Sequence, residues 1–198
     1  AVIHNAGYAQ AGPILDVPNL ALARQFQVNV LSINQINAAI SNYMPDHSKI
    51  IMIGSVLGFV PGPGRAAYSM TKYALEAYSD TLRYELSDRK IAVTLIQPGP
   101  VITKFNSNLI ASLNNIETRS RNLLAKSIYD GLQRRYSKNQ QTPSFAIYSS
   151  QRCAEIVIKA LRNNKPPQRI QVTPAASIAW KLKKILPHSL FLKLVMRL

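Results

Sequence analysis

Cysteine is almost missing from the chain. Cys153 stands alone among 198 residues, which excludes an internal disulfide and suits a reducing compartment. It falls within a helical pattern and reads as a packing residue. Histidine is scarce too: there are three, none with a second histidine at metal-ligand spacing, so no metal site is expected. No run of about 18 apolar residues occurs, which argues against a membrane-spanning helix. The opening residues lack the basic, apolar and small-residue order of a secretory leader. Internal repeats and low-complexity tracts are absent as well, so residues 1–198 read as one domain with a core of its own.

Acidic residues are the other shortage. Nine Asp and Glu stand against 24 Lys and Arg, a formal net charge of +15. The imbalance is local, because residues 1–99 hold seven basic and six acidic side chains, whereas residues 100–198 hold seventeen and three. Such a charge suggests nucleic acid first, but no helix-turn-helix, zinc-ligand spacing or aromatic stacking motif accompanies it, and no nucleic-acid partner is expected. Residues 175–198 form a basic, amphipathic C-terminal segment, read as two short helices broken at Pro187. Ile178, Leu182, Ile185 and Leu186 make one apolar stripe; Leu190, Phe191, Leu194, Val195 and Leu198 make another. Lys181, Lys183, Lys184, Lys193 and Arg197 lie off those stripes. A flap docked on the chain's own pocket is the leading reading of this segment, and Trp180 among lysines also suits an interface with lipid headgroups.

What the chain has in quantity is apolar sequence in short runs. Residues 1–4, 49–55 and 91–96 read as buried parallel strands, with a final strand at 169–173. Helical spacing links Leu20, Phe26, Val30, Ile33, Ile36 and Ile40, with Asn19 as the expected N-cap. A second helix is expected over 66–88 and a third, capped, over 150–163. Residues 103–148 show weak periodicity; Tyr129 and Tyr136 there either line a pocket or pack. The alternation of strand and helix calls for an α/β fold with a parallel sheet and right-handed crossovers.

Chemistry concentrates in residues 55–72, S-V-L-G-F-V-P-G-P-G-R-A-A-Y-S-M-T-K. Tyr68 and Lys72 are four apart, so on a helix they share one face. A phenol titrates near ~10, and a neighbouring cation lowers it by about 1 to 3 units, so Lys72 is expected to tune Tyr68 as an acid. Ser55 follows the run Ile50-Ile51-Met52-Ile53-Gly54 and falls at the carboxyl end of a strand, the edge at which open α/β sheets bind ligands.

With Ser55 thirteen residues before the Tyr of Y-x-x-x-K, the chain resembles the short-chain dehydrogenase/reductase family. Three other motifs carry the resemblance: Asn29 about forty residues upstream of Tyr68, His4-Asn5-Ala6-Gly7 in place of N-N-A-G, and Pro98-Gly99-Pro100-Val101-Ile102-Thr103 matching P-G-x-V-x-T. The resemblance weakens after Thr103. Residues 62–100 and the C-terminal end are most similar to bacterial members regarded as NADP-dependent aldehyde reductases.

The resemblance implies a Rossmann-type doubly wound sheet lacking its N-terminal strands. The family's G-x-x-x-G-x-G turn is not found, so that turn, and the residues choosing between NAD and NADP, are expected upstream of Ala1. It implies a catalytic set of Asn29, Ser55, Tyr68 and Lys72. Asn29 would sit at a helix irregularity that holds a relay water. Cofactor contacts would come from Asn5, Ala6, Gly7, Tyr68, Lys72, Pro98, Gly99, Val101 and Thr103. Hydride transfer between NADP, or NAD, and a small carbonyl or alcohol follows, with NADPH-dependent aldehyde or ketone reduction as the leading form. Sterol, retinol or 3-oxoacyl reduction is an alternative. So is a catalytically silent, membrane-associated binding protein on the same scaffold. A homodimer or homotetramer is implied, located in the cytoplasm or peripheral to the inner face of the membrane. The residue at His4 reads as a hydrogen-bonded structural histidine.

Overall fold

The computed structural model describes residues 1–114, 123–137 and 147–196. In chain order, β1 (Val2–His4) leads to α1 (Asn19–Phe26), a π turn (Gln27–Leu31) and α2 (Ser32–Ile40). β2 (Lys49–Ile53), α3 (Ala66–Glu85) and β3 (Ala92–Gln97) follow, then β4 (Val101–Ile102), α4 (Phe105–Asn114) and α5 (Leu123–Ser137). The chain closes with β5 (Tyr148–Ser149), α6 (Ser150–Arg162), β6 (Arg169–Gln171), α7 (Pro174–Ile185) and α8 (His188–Val195). The side chain of Tyr136, together with Arg197 and Leu198, lies outside the described residues.

β-Branched runs become the central strands because they are buried on both faces. The sheet order is β1-β2-β3-β6, all parallel, with Val2 opposite Ile50, Ile50 opposite Val93 and Ile96 opposite Ile170. Strand alternation sorts the side chains into two layers. Ile50, Met52, Val93 and Leu95 pack with Ile33 and Leu75 from α2 and α3. Ile51 and Ile96 pack with Ala160 of α6 and Val172 on the opposite face. Helices on both faces of a parallel sheet make the doubly wound α/β architecture, and all four strands direct their carboxyl ends to one edge.

Some boundaries move. Pro18, not Asn19, stands at the N-cap of α1, and its carbonyl accepts from Leu22 N at 3.0 Å; Asn19 is the first helical residue and makes no cap. α3 stops at Glu85, three residues before the expected end, in a turn that carries Lys90 at φ 55°. Residues 103–148 contain α4 and α5 despite their weak periodicity. α6 is capped as expected, Ser149 Oγ accepting from Arg152 N at 3.1 Å.

The C-terminal helices break at Pro187, but α7 docks by a face other than the aliphatic stripe. Ala176 is fully buried, and Trp180 meets Phe59 edge-on at 5.0 Å between ring centroids. Lys183 Nζ donates to the Phe59 carbonyl at 3.0 Å. Ala176, Trp180 and Lys183 share one side of the helix at i, i+4 and i+7. Trp180 therefore faces the domain and not a lipid surface. No helix among the described residues is long and apolar enough to cross a membrane.

Candidate active site

Asn29 sits in the π turn between α1 and α2, an irregularity of the kind that recurs at functional sites. The wider turn, closed by Ser32 N to Gln27 O, points a fully buried Asn29 side chain at the loop after β1. Its Oδ1 accepts from Tyr8 N at 3.1 Å, and its Nδ2 donates to Tyr8 O at 2.9 Å and to Thr71 Oγ1 at 3.0 Å. That side chain is a clamp between the loop and α3, one residue from Lys72. His4 is held by Asn37 Oδ1 at 2.7 Å from its Nε2, so its role is structural.

Ser55 follows β2 at the carboxyl edge of the sheet, where its Oγ caps a short 3-10 turn by accepting from Leu57 N at 3.1 Å. Its hydroxyl acts on the phenol of Tyr68, across the Gly- and Pro-containing loop, as a hydrogen-bonding neighbour that favours the ionised form. Tyr68 and Lys72 lie one turn apart on α3, both buried. Lys72 Nζ stands 5.5 Å from the centroid of the Tyr68 ring and donates to Ile53 O at 2.7 Å. It makes no ion pair among the described residues, and burial lowers its ammonium to about 8.

The expected lowering of the phenol by Lys72 is not what this geometry produces. Burial pushes Tyr68 well above the usual tyrosine range, and the Ser55 hydrogen bond opposes this only in part. The cover responsible comes from residues that the sequence reading did not single out. Leu109 and Leu113 of α4 and Leu132 of α5 close over the phenol with Ala9 and Ala11, and the Phe105 ring lies 5.3 Å from it. Phe105, Leu109 and Leu113 recur at i, i+4 and i+8, a helical signal present in the sequence but diluted by surrounding Asn and Ser. Tyr129 packs under the same cover and donates to Leu113 O at 2.5 Å.

The loop Asn5-Ala6-Gly7 is exposed at the carboxyl end of β1, beside Asn29 and Lys72. A Cβ on Gly7 would stand 3.2 Å from Asn29 Oδ1 and 3.8 Å from Lys72 Nζ, so bare backbone is what lets this loop run past the lysine. Pro98 and Gly99 leave β3 at the same edge, and Val101 begins β4 opposite Tyr148. Thr103 is exposed, its Oγ1 accepting from Phe105 N at 3.2 Å, and its hydroxyl proton stays free to donate. A buried ammonium with one protein acceptor keeps two further donors, which fits the vicinal hydroxyls of a nucleoside ribose. These residues fit the nicotinamide end of a dinucleotide. Among the described residues no cluster of three His, Cys, Asp or Glu could hold a metal ion. An open cleft of about 930 Å³ lies between α1 and the Tyr8–Gln10 loop, and Tyr68 is not among the residues that line it.

A doubly wound parallel sheet that gathers Asn29, Ser55, Tyr68 and Lys72 at its carboxyl edge defines the class, a Rossmann-type α/β scaffold. A family model described as short chain dehydrogenase matches residues 1–114, more than half of the sequence, and the chain belongs to that family. It is 39% identical over 110 residues to an uncharacterized oxidoreductase, YbbO, of Escherichia coli strain K12, covering 54% of this chain and 41% of that protein. An NADPH-dependent 3-dehydrocapnine reductase of Ornithobacterium rhinotracheale is 36% identical over 109 residues, covering 52% of this chain and 38% of that protein. These matched stretches span about two fifths of the length of the two curated relatives. A solved short chain dehydrogenase from Burkholderia cenocepacia in complex with NADP shares the fold at TM-score 0.70 and 19% identity, over 98% of this chain and 68% of that one.

Proposed function

We propose that the protein containing this chain is an oxidoreductase transferring hydride between a nicotinamide dinucleotide and a carbonyl or alcohol, working as an NADPH-dependent aldehyde or ketone reductase. The observation that carries this reading is the gathering of Ser55, Tyr68 and Lys72, all buried, at the carboxyl edge of the sheet, with Lys72 Nζ 5.5 Å from the Tyr68 ring centroid. When bound, the dinucleotide supplies the hydride. Ser55, whose Oγ accepts from Leu57 N, would turn its hydroxyl proton to the substrate oxygen and stabilise charge developing there. Tyr68, kept protonated by burial, gives that oxygen its proton.

Lys72 would hold the ribose hydroxyls, with Asn5, Ala6 and Gly7 passing beside it and Pro98, Gly99, Val101 and Thr103 lining the other side. Asn29 fixes the loop against α3. The NADPH-dependent relative and the NADP-bound structural neighbour support NADP as the partner, with NAD as the other candidate. A homodimer through α3 fits its outward residues Met70 and Tyr73, which are 43% and 38% exposed.

The test is NADPH oxidation by the full-length protein over aldehydes, ketones, sterols, retinoids and 3-oxoacyl thioesters. Turnover of a simple aldehyde or ketone, abolished in Tyr68→Phe, is the expected result. Dinucleotide binding without turnover of any carbonyl class would sink the reading in favour of a silent binding protein.

A further inference from the structure

The aliphatic stripe of α7 points outward. At 100° per residue, Ile178, Leu182 and Ile185 lie about 180° around the helix from Ala176, Trp180 and Lys183, the side that docks on the domain. Ile178 and Ile185 are 58% and 77% exposed. α8 repeats the arrangement: Phe191 and Val195 are buried, while Leu190 and Leu194, one turn apart, remain 51% and 43% exposed. Each helix thus has one apolar face used and a second without a partner among the described residues.

Charge indicates the occupant. No acidic residue follows Glu155 in the sequence, whereas nine Lys and Arg do. Lys181 and Lys193 are exposed beside the two outward stripes and make no ion pair among the described residues. Protein interfaces favour aromatic residues and disfavour lysine. Here the combination is reversed, since Trp180 and Phe191, the two aromatics of these helices, are turned inward. Aliphatic side chains rimmed by lysines, with no carboxylate, match the boundary between anionic headgroups and acyl chains. We infer that the outward face of α7 and α8 binds an anionic phospholipid surface. Trp180 does not serve as the anchor, because it holds α7 to Phe59.

The test uses the full-length protein, floated with vesicles of phosphatidylcholine alone or with phosphatidylglycerol, so the readout is independent of the active-site reading. Flotation with the anionic vesicles only, weakening as salt rises, is expected. Ile185→Ser with Leu190→Ser removes exposed side chains and should leave the fold intact while lowering partitioning about tenfold or more. Lys181→Glu with Lys193→Glu should lower it by at least about fivefold per lysine. Absence from anionic vesicles, equal flotation with neutral ones, or flotation unchanged in both double variants would overturn the inference. So would sedimentation showing that the serine variant dissociates a dimer, which would assign the face to a second copy.

Discussion

Asn29 grips the backbone of Tyr8 at both its N–H and its C=O, 3.1 and 2.9 Å away, and reaches Thr71 with the same amide. Two segments distant in sequence are fixed by one side chain. Asn29→Ala leaves a donor and an acceptor of Tyr8 without partners, a loss of about 2 to 3 kcal/mol. Urea denaturation measures this; an unchanged midpoint would remove the clamp from the account. Asn29→Asp keeps the acceptor but sets an anion against Tyr8 O, and should be no more stable than the alanine variant.

Tyr68→Phe deletes the proposed proton donor and leaves the ring in place against Phe105. The rate should fall ~100-fold to ~10,000-fold, the range for a lost general acid. Dinucleotide affinity and melting temperature should scarcely move. Turnover within threefold of wild type, which is roughly 0.7 kcal/mol in the barrier, would remove Tyr68 from the mechanism.

Lys72 makes the site sensitive to alkali. Burial lowers the folded ammonium from 10.5 to about 8, so between those values the unfolded chain binds a proton that the folded one does not. Stability therefore rises with pH through this window as the cost of the buried charge disappears. Below about 8 both states are protonated and the cost is constant. Melting temperature followed from pH 8 to about 10 should rise relative to Lys72→Met, the comparison stopping where tyrosine ionises in the unfolded chain. Activity should move the other way, falling above about pH 8 as the cation proposed to hold ribose is lost. Parallel stability curves in the two proteins would contradict the shift.

Gly64 adopts φ +67°, and a Cβ there would run into Leu132 Cδ1 and approach Ile128 Cγ2 at 2.8 Å. Gly64→Ala thus combines left-handed strain with a push on α5, the helix that covers Tyr68, at about 1 to 3 kcal/mol. KM for the carbonyl substrate should rise more than kcat falls, since the phenol itself is not displaced from α3. Equal activity and stability in the variant would show that α5 yields without consequence.

How much of this was readable beforehand depended on whether the signal was local. The strands declared themselves as β-branched runs, and Ser55, Tyr68 and Lys72 by spacing, because one strand end and one helical turn set their distances. The state of the Tyr68 phenol was not readable, because its burial comes from Leu109, Leu113 and Leu132, in a region whose Asn and Ser mask the helical period. Which face of α7 docks was not readable, because the helix has two usable faces. The aliphatic one is the larger, but Trp180 against Phe59 and Lys183 on the Phe59 carbonyl decide the docking.

The proposed catalytic residues and the strands that hold them are close together in the chain. Asn29 to Lys72 fall between β1 and β3, which with β2 are neighbours both in sequence and in the sheet, whereas β6 joins across α4, α5 and α6. Short sequence separation lowers the entropic barrier to forming contacts, and ribosomes release about 5 to 20 residues per second. The polar centre can therefore assemble on the nascent chain some seconds before Arg169 emerges.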